Sequence, residues 1–313
     1  MNHQMPFVSV VIPNYNHASY LPERIESVLA QTYRHFEVIL LDDCSTDDSA
    51  AVLARYAGHE KVSYVVLNEQ NSGSTFKQWA RGIALAQGEW VWIAESDDWC
   101  EPTLLQTLME GVEPTISVAF CQSLMVQNGR IIWSLNADFL SKSYDGREFV
   151  AEYMLKNSRM YNASMCIFRK GLYFQLDASY THYKFCGDWL FWILLAQAGN
   201  VYVSGKVLNY FRKHAADVSG SATQNGLMYT EYLQLLDDLV AHRVIDLAKR
   251  RELLKHKLNE LLLNTKLAPA IVARIKPSYY QALKGDLLTY DSFRVLGKRL
   301  FAQICFDTVA HRP

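Results

Sequence analysis

The first hundred residues repeat one pattern: a short apolar run, a polar loop, then apolar residues spaced for one face of a helix. Residues 7–12 (FVSVVI) are rich in β-branched side chains and stop at Pro13, as a buried strand does. After the polar loop Asn14-Tyr15-Asn16, Pro22 suits a first helical turn, and Leu21, Ile25, Val28 and Leu29 recur at helical spacing. Residues 36–41 (FEVILL) predict a second strand running into Asp42-Asp43-Cys44-Ser45-Thr46-Asp47. Thr46 or Asp47 can cap the next helix, which carries Ala51, Leu53, Ala54 and Tyr56. Residues 62–67 predict a third strand. The loop Asn71-Ser72-Gly73-Ser74 then leads to a helix with Phe76, Trp79, Ile83 and Ala84 on one face. Gly88 closes it before a fourth strand at residues 90–94. Strand and helix alternating with short connections predict a doubly wound α/β sheet with mostly parallel strands.

The pattern changes after Pro102. A helix over residues 102–110 leads to a strand at 118–121, then to a hairpin whose two-residue turn is Asn128-Gly129. Residues 144–156 read as helical and 160–168 as extended. Asp188 opens a helix rich in Trp189, Leu190, Phe191 and Trp192, and extended segments follow at 201–204 and 207–211. From about residue 225 helix follows helix. Basic residues there (Lys249-Arg250-Arg251, Lys255, Lys257 and Lys298-Arg299) alternate with Leu and Phe. That face suits either acidic membrane lipid, as a peripheral contact, or the solvated side of helices packed on the rest of the chain.

Composition narrows the class. Half of the 313 residues are hydrophobic and 20% are charged, which is globular and not disordered. A formal net charge of -1 gives no overall attraction to nucleic acid. The N-terminus has no basic segment followed by a long apolar run, and no uncharged apolar stretch reaches about 18 residues, so a cytoplasmic protein is expected. Six scattered cysteines without a C-x-x-C pair predict reduced thiols, not a zinc site or a disulfide framework.

Candidate chemistry gathers at the loops. In doubly wound sheets ligands bind beyond the carboxyl ends of the strands. Three polar clusters follow strand ends here: Asn14-Tyr15-Asn16, Asp42-Asp43 and Glu95-Ser96-Asp97-Asp98. The last packs three acids into four residues, and like charges that close need either solvent or a cation between them. Alone it reads as a capped, solvated turn; with the other two clusters on one sheet edge, a divalent metal carrying a phosphate-bearing ligand becomes the better reading.

These motifs, in order, resemble the family-2 inverting glycosyltransferases of the GT-A fold, of bacterial surface-polysaccharide and lipopolysaccharide type. The resemblance is carried by residues 8–16 (VSVVIPNYN), 27–33 (SVLAQTY), 37–45, 71–79, Gly88-Glu89, the acidic cluster, Asp188 and Arg212-Lys213-His214. It implies a glycosyltransferase domain over residues 1–221, with a nucleotide-binding half at 1–100 and an acceptor half at 101–221, and a helical region at 222–313. It also implies a nucleotide-sugar donor, UDP-linked by expectation, and a glycan or lipid-linked acceptor.

The resemblance further implies site roles. Asp43, preceded by Asp42, accepts a hydrogen bond from the donor base, and Pro13 and Tyr15 lie against that base. Asp98 holds Mn²⁺ or Mg²⁺, with Asp97 beside it near the ribose and metal. Asp188 is the general base, with Trp189 on the acceptor side. Arg212 and His214 bind the diphosphate, and Lys77 can reach it. Glu95 stands where the family has Asp, so its place as a ligand is open. The rivals are a nucleotidyltransferase, for which the first loop lacks a Gly-rich basic sequence, and a non-catalytic nucleotide-sugar or glycan-binding module of the same fold.

Overall fold

Strands β1 (Val8–Asn14), β2 (Phe36–Asp42), β3 (Val62–Leu67) and β4 (Trp90–Ile93) lie parallel in the order β3-β2-β1-β4. This is the arrangement that the alternating pattern predicts. In this computed structural model the described residues are 5–135, 140–214, 222 and 224–283. Val8, Val10, Val11, Trp90, Val91, Trp92 and Ile93 are all fully buried, as expected for central parallel strands covered on both faces. Helices α1 (Leu21–Leu29), α2 (Ser49–Ala54) and α3 (Thr75–Leu85) connect these strands. The N-cap of α2 is Asp48, not Thr46 or Asp47, and its side chain makes no capping bond; Asp47, one residue earlier, accepts from the Ser49 N–H and hydroxyl.

The sheet continues as a mixed one. A two-residue strand β5 (Trp99–Cys100) and helix α4 (Leu104–Glu110) follow the acidic run, then β6 (Ile116–Gln127) and β7 (Arg130–Leu135) form the predicted hairpin. Its turn residues Asn128 and Gly129 have φ of 50° and 71°, the left-handed pair that such turns require. Next come β8 (Lys142–Tyr144) and α5 (Gly146–Phe149), the latter running into one π-helical turn (Val150–Met154). Where 160–168 was expected to be extended, a 3₁₀ turn (Ala163–Met165) precedes a short strand β9 (Cys166–Arg169). Helices α6 (Lys170–Tyr173) and α7 (Gly187–Gln197) lead to β10 (Asn200–Arg212). The two extended segments predicted at 201–211 are this single strand, interrupted by register shifts against β6. The full sheet order is β3-β2-β1-β4-β9-β6-β10-β5, with β7 on β6 and β8 on β10. β6 and β10 run parallel to one another, and β9 is antiparallel to both β4 and β6. The carboxyl ends of β1, β2, β4, β6 and β10 therefore share one edge.

The chain divides into compact units Met1–Ala215 and Ala216–Pro313. In the second, α8 (Leu227–Ala241), α9 (Leu247–Leu263) and α10 (Pro269–Ala282) are the expected helices. Several of the basic residues on α9 are spent within this unit. Lys249 pairs with Glu252, Arg250 with Asp237, and Lys257 is buried against Glu260 and the Tyr232 ring. No helix among the described residues is long and apolar enough to cross a membrane. The segment 215–220, the Lys298-Arg299 pair and Cys305 lie outside the described residues.

Candidate active site

At the end of β2 two adjacent carboxylates do different work. Asp42 is buried and closes the loop around itself, accepting from Asn14 Nδ2 at 2.7 Å, Ser45 Oγ at 2.6 Å and the Ser45 N–H at 2.8 Å. Asp43 faces the β3–α3 loop. Its Oδ1 accepts from Asn68 Nδ2 at 2.7 Å, the Ser72 N–H at 2.9 Å and Gln78 Nε2 at 2.8 Å, and its Oδ2 accepts from Ser72 Oγ at 2.7 Å. A carboxylate offers about four lone pairs, two on each oxygen. Oδ2, with one partner, keeps an acceptor position for an outside donor. Pro13 is buried in β1 opposite Leu41, and Tyr15, just beyond it, is 47% exposed. Lys77 is exposed and reaches back to the Ser72 carbonyl, beside the same loop.

The acidic run leaves the end of β4, and its three carboxylates part company. Glu95 accepts from the Trp79 indole N–H at 2.8 Å; burial, reinforced by the Asp97 charge, pushes its pKa up to about 8. Asp98 is fully enclosed. Its Oδ2 accepts from Asn162 Nδ2 at 2.6 Å and its Oδ1 from the Arg212 N–H at 3.0 Å, with Arg24 Nη2 at 3.8 Å from Oδ2. Burial and the Asp97 charge raise its pKa to about 7 against the pull of Arg24. Both oxygens of Asp98 are thus engaged inside the protein.

Asp97 points the other way. Its Oδ2 lies 3.0 Å from His214 Nε2, and ligand atoms of His17, Asp97 and His214 all fall within 4.8 Å of one another. Burial alone would raise the Asp97 pKa, but the His214 hydrogen bond and the two imidazole charges outweigh it and hold it below the usual value. His17 is lowered, chiefly by its own burial and only partly offset by Asp97, which favours the neutral imidazole that a metal needs. Its ring packs edge-on against His214 and Tyr20, and its Nδ1 meets Ser96 Oγ at 2.8 Å. Arg212 braces this corner: its Nε donates to the Asp97 carbonyl, its guanidinium pairs with Glu23, and its plane lies over Trp99 and Tyr20.

Asp188 is partly buried at the second position of α7, and one carboxylate oxygen meets the next backbone N–H. It lies close enough to Cys166, at the start of β9, to add to the burial that raises that thiol's pKa. Trp189, expected on the acceptor side, turns into the core and donates its indole N–H to the Met154 carbonyl.

Three further residues contribute that the sequence reading did not single out. His17 follows the first polar cluster directly. Arg24 falls on the apolar face of α1, three residues from Leu21, and a charge at such a position is itself a signal; it is fully buried, donates to the Glu95 carbonyl and faces Asp98. Asn162 carries no local signal, because only the fold brings it to Asp98.

Residues 9–176 match the family Glycosyl transferase family 2. Over 133 residues the chain is 38% identical to the putative teichuronic acid biosynthesis glycosyltransferase TuaG of Bacillus subtilis, covering 41% of this chain and 52% of that protein. It therefore spans about half the length of that relative. Among solved structures, S. aureus TarS 1-349 in complex with UDP-GlcNAc superposes with a TM-score of 0.66 at 22% identity, over 88% of this chain and 81% of that one. The mannosyltransferase PcManGT of Pyrobaculum calidifontis, in complex with GDP-Man and Mn²⁺, gives 0.56 at 16% identity, over 96% and 81%. At such identities the structural likeness speaks for the fold.

Proposed function

This chain belongs to glycosyl transferase family 2, and from that membership we propose that it is a glycosyltransferase that works by inversion, moving a sugar from a UDP-sugar to a hydroxyl of a glycan or lipid-linked acceptor. The observation that carries the reading is the Asp97–His17–His214 cluster at the sheet edge, where the loops after β4 and β1 meet, with β1 between β4 and the β2 end that carries Asp43. Asp43 Oδ2 has the acceptor capacity that the imide N–H of uracil would use, and the exposed Tyr15 ring is available to the base.

The fold family implies a divalent ion, and the donor set here suits one. A carboxylate oxygen and two imidazole nitrogens form a mixed set that fits Mn²⁺ better than Mg²⁺, which favours oxygen alone. Asp97, His17 and His214 would hold it, while Asp98, the expected ligand, keeps its bonds to Asn162 and Arg212 and so anchors the run. An ion held there would supply positive charge to offset the charge that develops on a departing diphosphate. Arg212 fixes the Asp97 backbone and adds positive charge at the same corner.

Asp188 takes the proton of the acceptor hydroxyl as that oxygen attacks the anomeric carbon, and the bond from that carbon to the diphosphate oxygen breaks on the opposite face. One base and one displacement give inversion. The test is UDP-sugar turnover with and without Mn²⁺. Asp188→Asn should lose about 10²-fold or more in turnover with donor binding intact, and Asp97→Asn should lose the Mn²⁺ dependence. Unchanged turnover in Asp188→Asn would remove the base from this scheme.

A further inference from the structure

We propose that Trp133 and Tyr161 form a stacking platform for a pyranose ring of the acceptor. The proposal rests on the glycosyltransferase reading above and names a place for its second substrate.

The platform is built by a change of partner along β6. Val118–Phe120 of that strand pair with β9, whereas Ser123–Gln127 pair with β7. Where β9 ends, β7 takes over, and no other strand among the described residues pairs with it. A register slip opposite Met125 and Val126 makes Ile132 the extra residue on β7. Trp133 remains 49% exposed although it belongs to the sheet. Its ring meets Tyr161 at 5.4 Å between centroids and 82° between planes. Two rings locked at right angles make a rigid, amphipathic surface that loses little entropy when a ligand lies on it.

Position ties this surface to the reaction. Tyr161 begins a short segment that runs along the whole active corner. Asn162 donates to Asp98, the Ser164 hydroxyl accepts from the Glu95 N–H, and Cys166 is within electrostatic reach of Asp188. One six-residue stretch thus carries Tyr161 of the platform and two side chains that bond to the acidic run. In the sheet order it lies on the far side of β4 from β1 and β2, whose ends carry Tyr15 and Asp43. An acceptor seated on the pair would therefore not overlap a donor base held at Tyr15 and Asp43.

The chemistry of the hairpin favours a sugar over a bilayer. Gln127, Asn128, Gly129 and Arg130 at the tip are all polar or small and exposed. The polar turn leads, and behind it Ile131, Ile132 and Trp133 are 64%, 49% and 49% exposed; what distinguishes the aromatic pair from a plain apolar edge is Tyr161, whose neighbour Asn162 donates to Asp98. A pyranose ring places its axial C–H bonds on an indole face and keeps its hydroxyls in water, which suits a half-exposed Trp.

Saturation-transfer NMR on the full chain with UDP and Mn²⁺, using methyl β-glucoside, methyl β-N-acetylglucosaminide and methyl α-mannoside as probes, tests the platform. Contact to ring C–H protons of at least one glycoside is expected, lost in Trp133→Ala and retained in Trp133→Phe. For that glycoside as acceptor, KM should rise about tenfold in Trp133→Ala, while hydrolysis of the donor by water and the melting temperature stay unchanged. If wild type shows neither donor hydrolysis nor Mn²⁺-dependent UDP binding, the glycosyltransferase scheme is what fails. If both persist and Trp133→Ala leaves every glycoside contact intact, or none is seen with wild type, the platform is overturned. Co-sedimentation with phosphatidylglycerol vesicles that Trp133→Ala abolishes, with glycoside contact unaffected, overturns it in favour of lipid.

Discussion

Replacing Asp43 by Asn separates the part of its hydrogen bonding that holds the loop from the part that reads the base. An asparagine oxygen placed at Oδ1 keeps the three donors now there: Asn68, the Ser72 N–H and Gln78. Its amide nitrogen then falls at Oδ2 and donates to Ser72 Oγ, whose own proton can turn to the Ser74 carbonyl 3.1 Å away. Folding loses charge assistance but no partner, a cost of about 1 kcal/mol. The base meets a different surface. Uracil N3–H now faces an N–H, so a hydrogen bond to a charged acceptor, worth roughly 1.5–3 kcal/mol, is lost. That converts to about a 13- to 160-fold weaker Kd for UDP. Cytosine N3 carries no proton and accepts, so CDP should be disfavoured by wild type and relatively favoured by the variant. Titration calorimetry with UDP and CDP in Mn²⁺ reads both. Equal weakening of the two nucleotides, or no change with UDP, would refute the assignment of Asp43 to the base.

Three further substitutions probe the frame of the fold. Burial holds Glu95 near pKa 8 in the folded chain against about 4.5 unfolded, so its protonated form stabilises the fold below pH 4.5 and that contribution fades as pH rises through 8. In metal-free protein, Glu95→Gln should leave the melting temperature little changed at pH 5 and raise it at pH 9, with a ceiling on the order of 5 kcal/mol; a difference independent of pH would contradict this. A Cβ at Gly146 would fall 1.9 Å from the carbonyl oxygens of Ala196 and Gly199, which are backbone and cannot yield as a flexible side chain does. Gly146→Ala should cost roughly 3 kcal/mol in a urea titration, whereas Gly171→Ala, with nothing within 4 Å, should stay within about 0.5 kcal/mol.

Much of this architecture is written in local spacing. The first four strands and their helices follow from apolar periodicity, because β1, β2 and β4 are buried on both faces, β3 at the sheet edge is half-buried and each helix buries one face, and burial selects residue type position by position. The Asn128-Gly129 hairpin is equally legible, since few dipeptides tolerate two left-handed residues in succession. The second half was harder to read. A 3₁₀ turn stands where an extended run was expected, and one bulged strand where two segments were, because aromatic-rich stretches carry no clean period and their partners lie far away in sequence.

The candidate site divides along the same line. Position after a strand end brought Asp42-Asp43 and the acidic run into consideration, while Asp188, Arg212 and His214 entered through the family resemblance. Which carboxylate faces outward was not there to be read. Asp97 and Asp98 are adjacent and chemically identical, and only the fold separates them. Asn162, Arg24 and the Arg212 backbone close around Asp98 from three distant parts of the chain, while His17 and His214 meet at Asp97. Residue type and local period set which groups reach the sheet edge. Long-range packing decides which of them is sealed within the protein and which keeps partial exposure, because burial and hydrogen-bond partners are properties of the assembled chain.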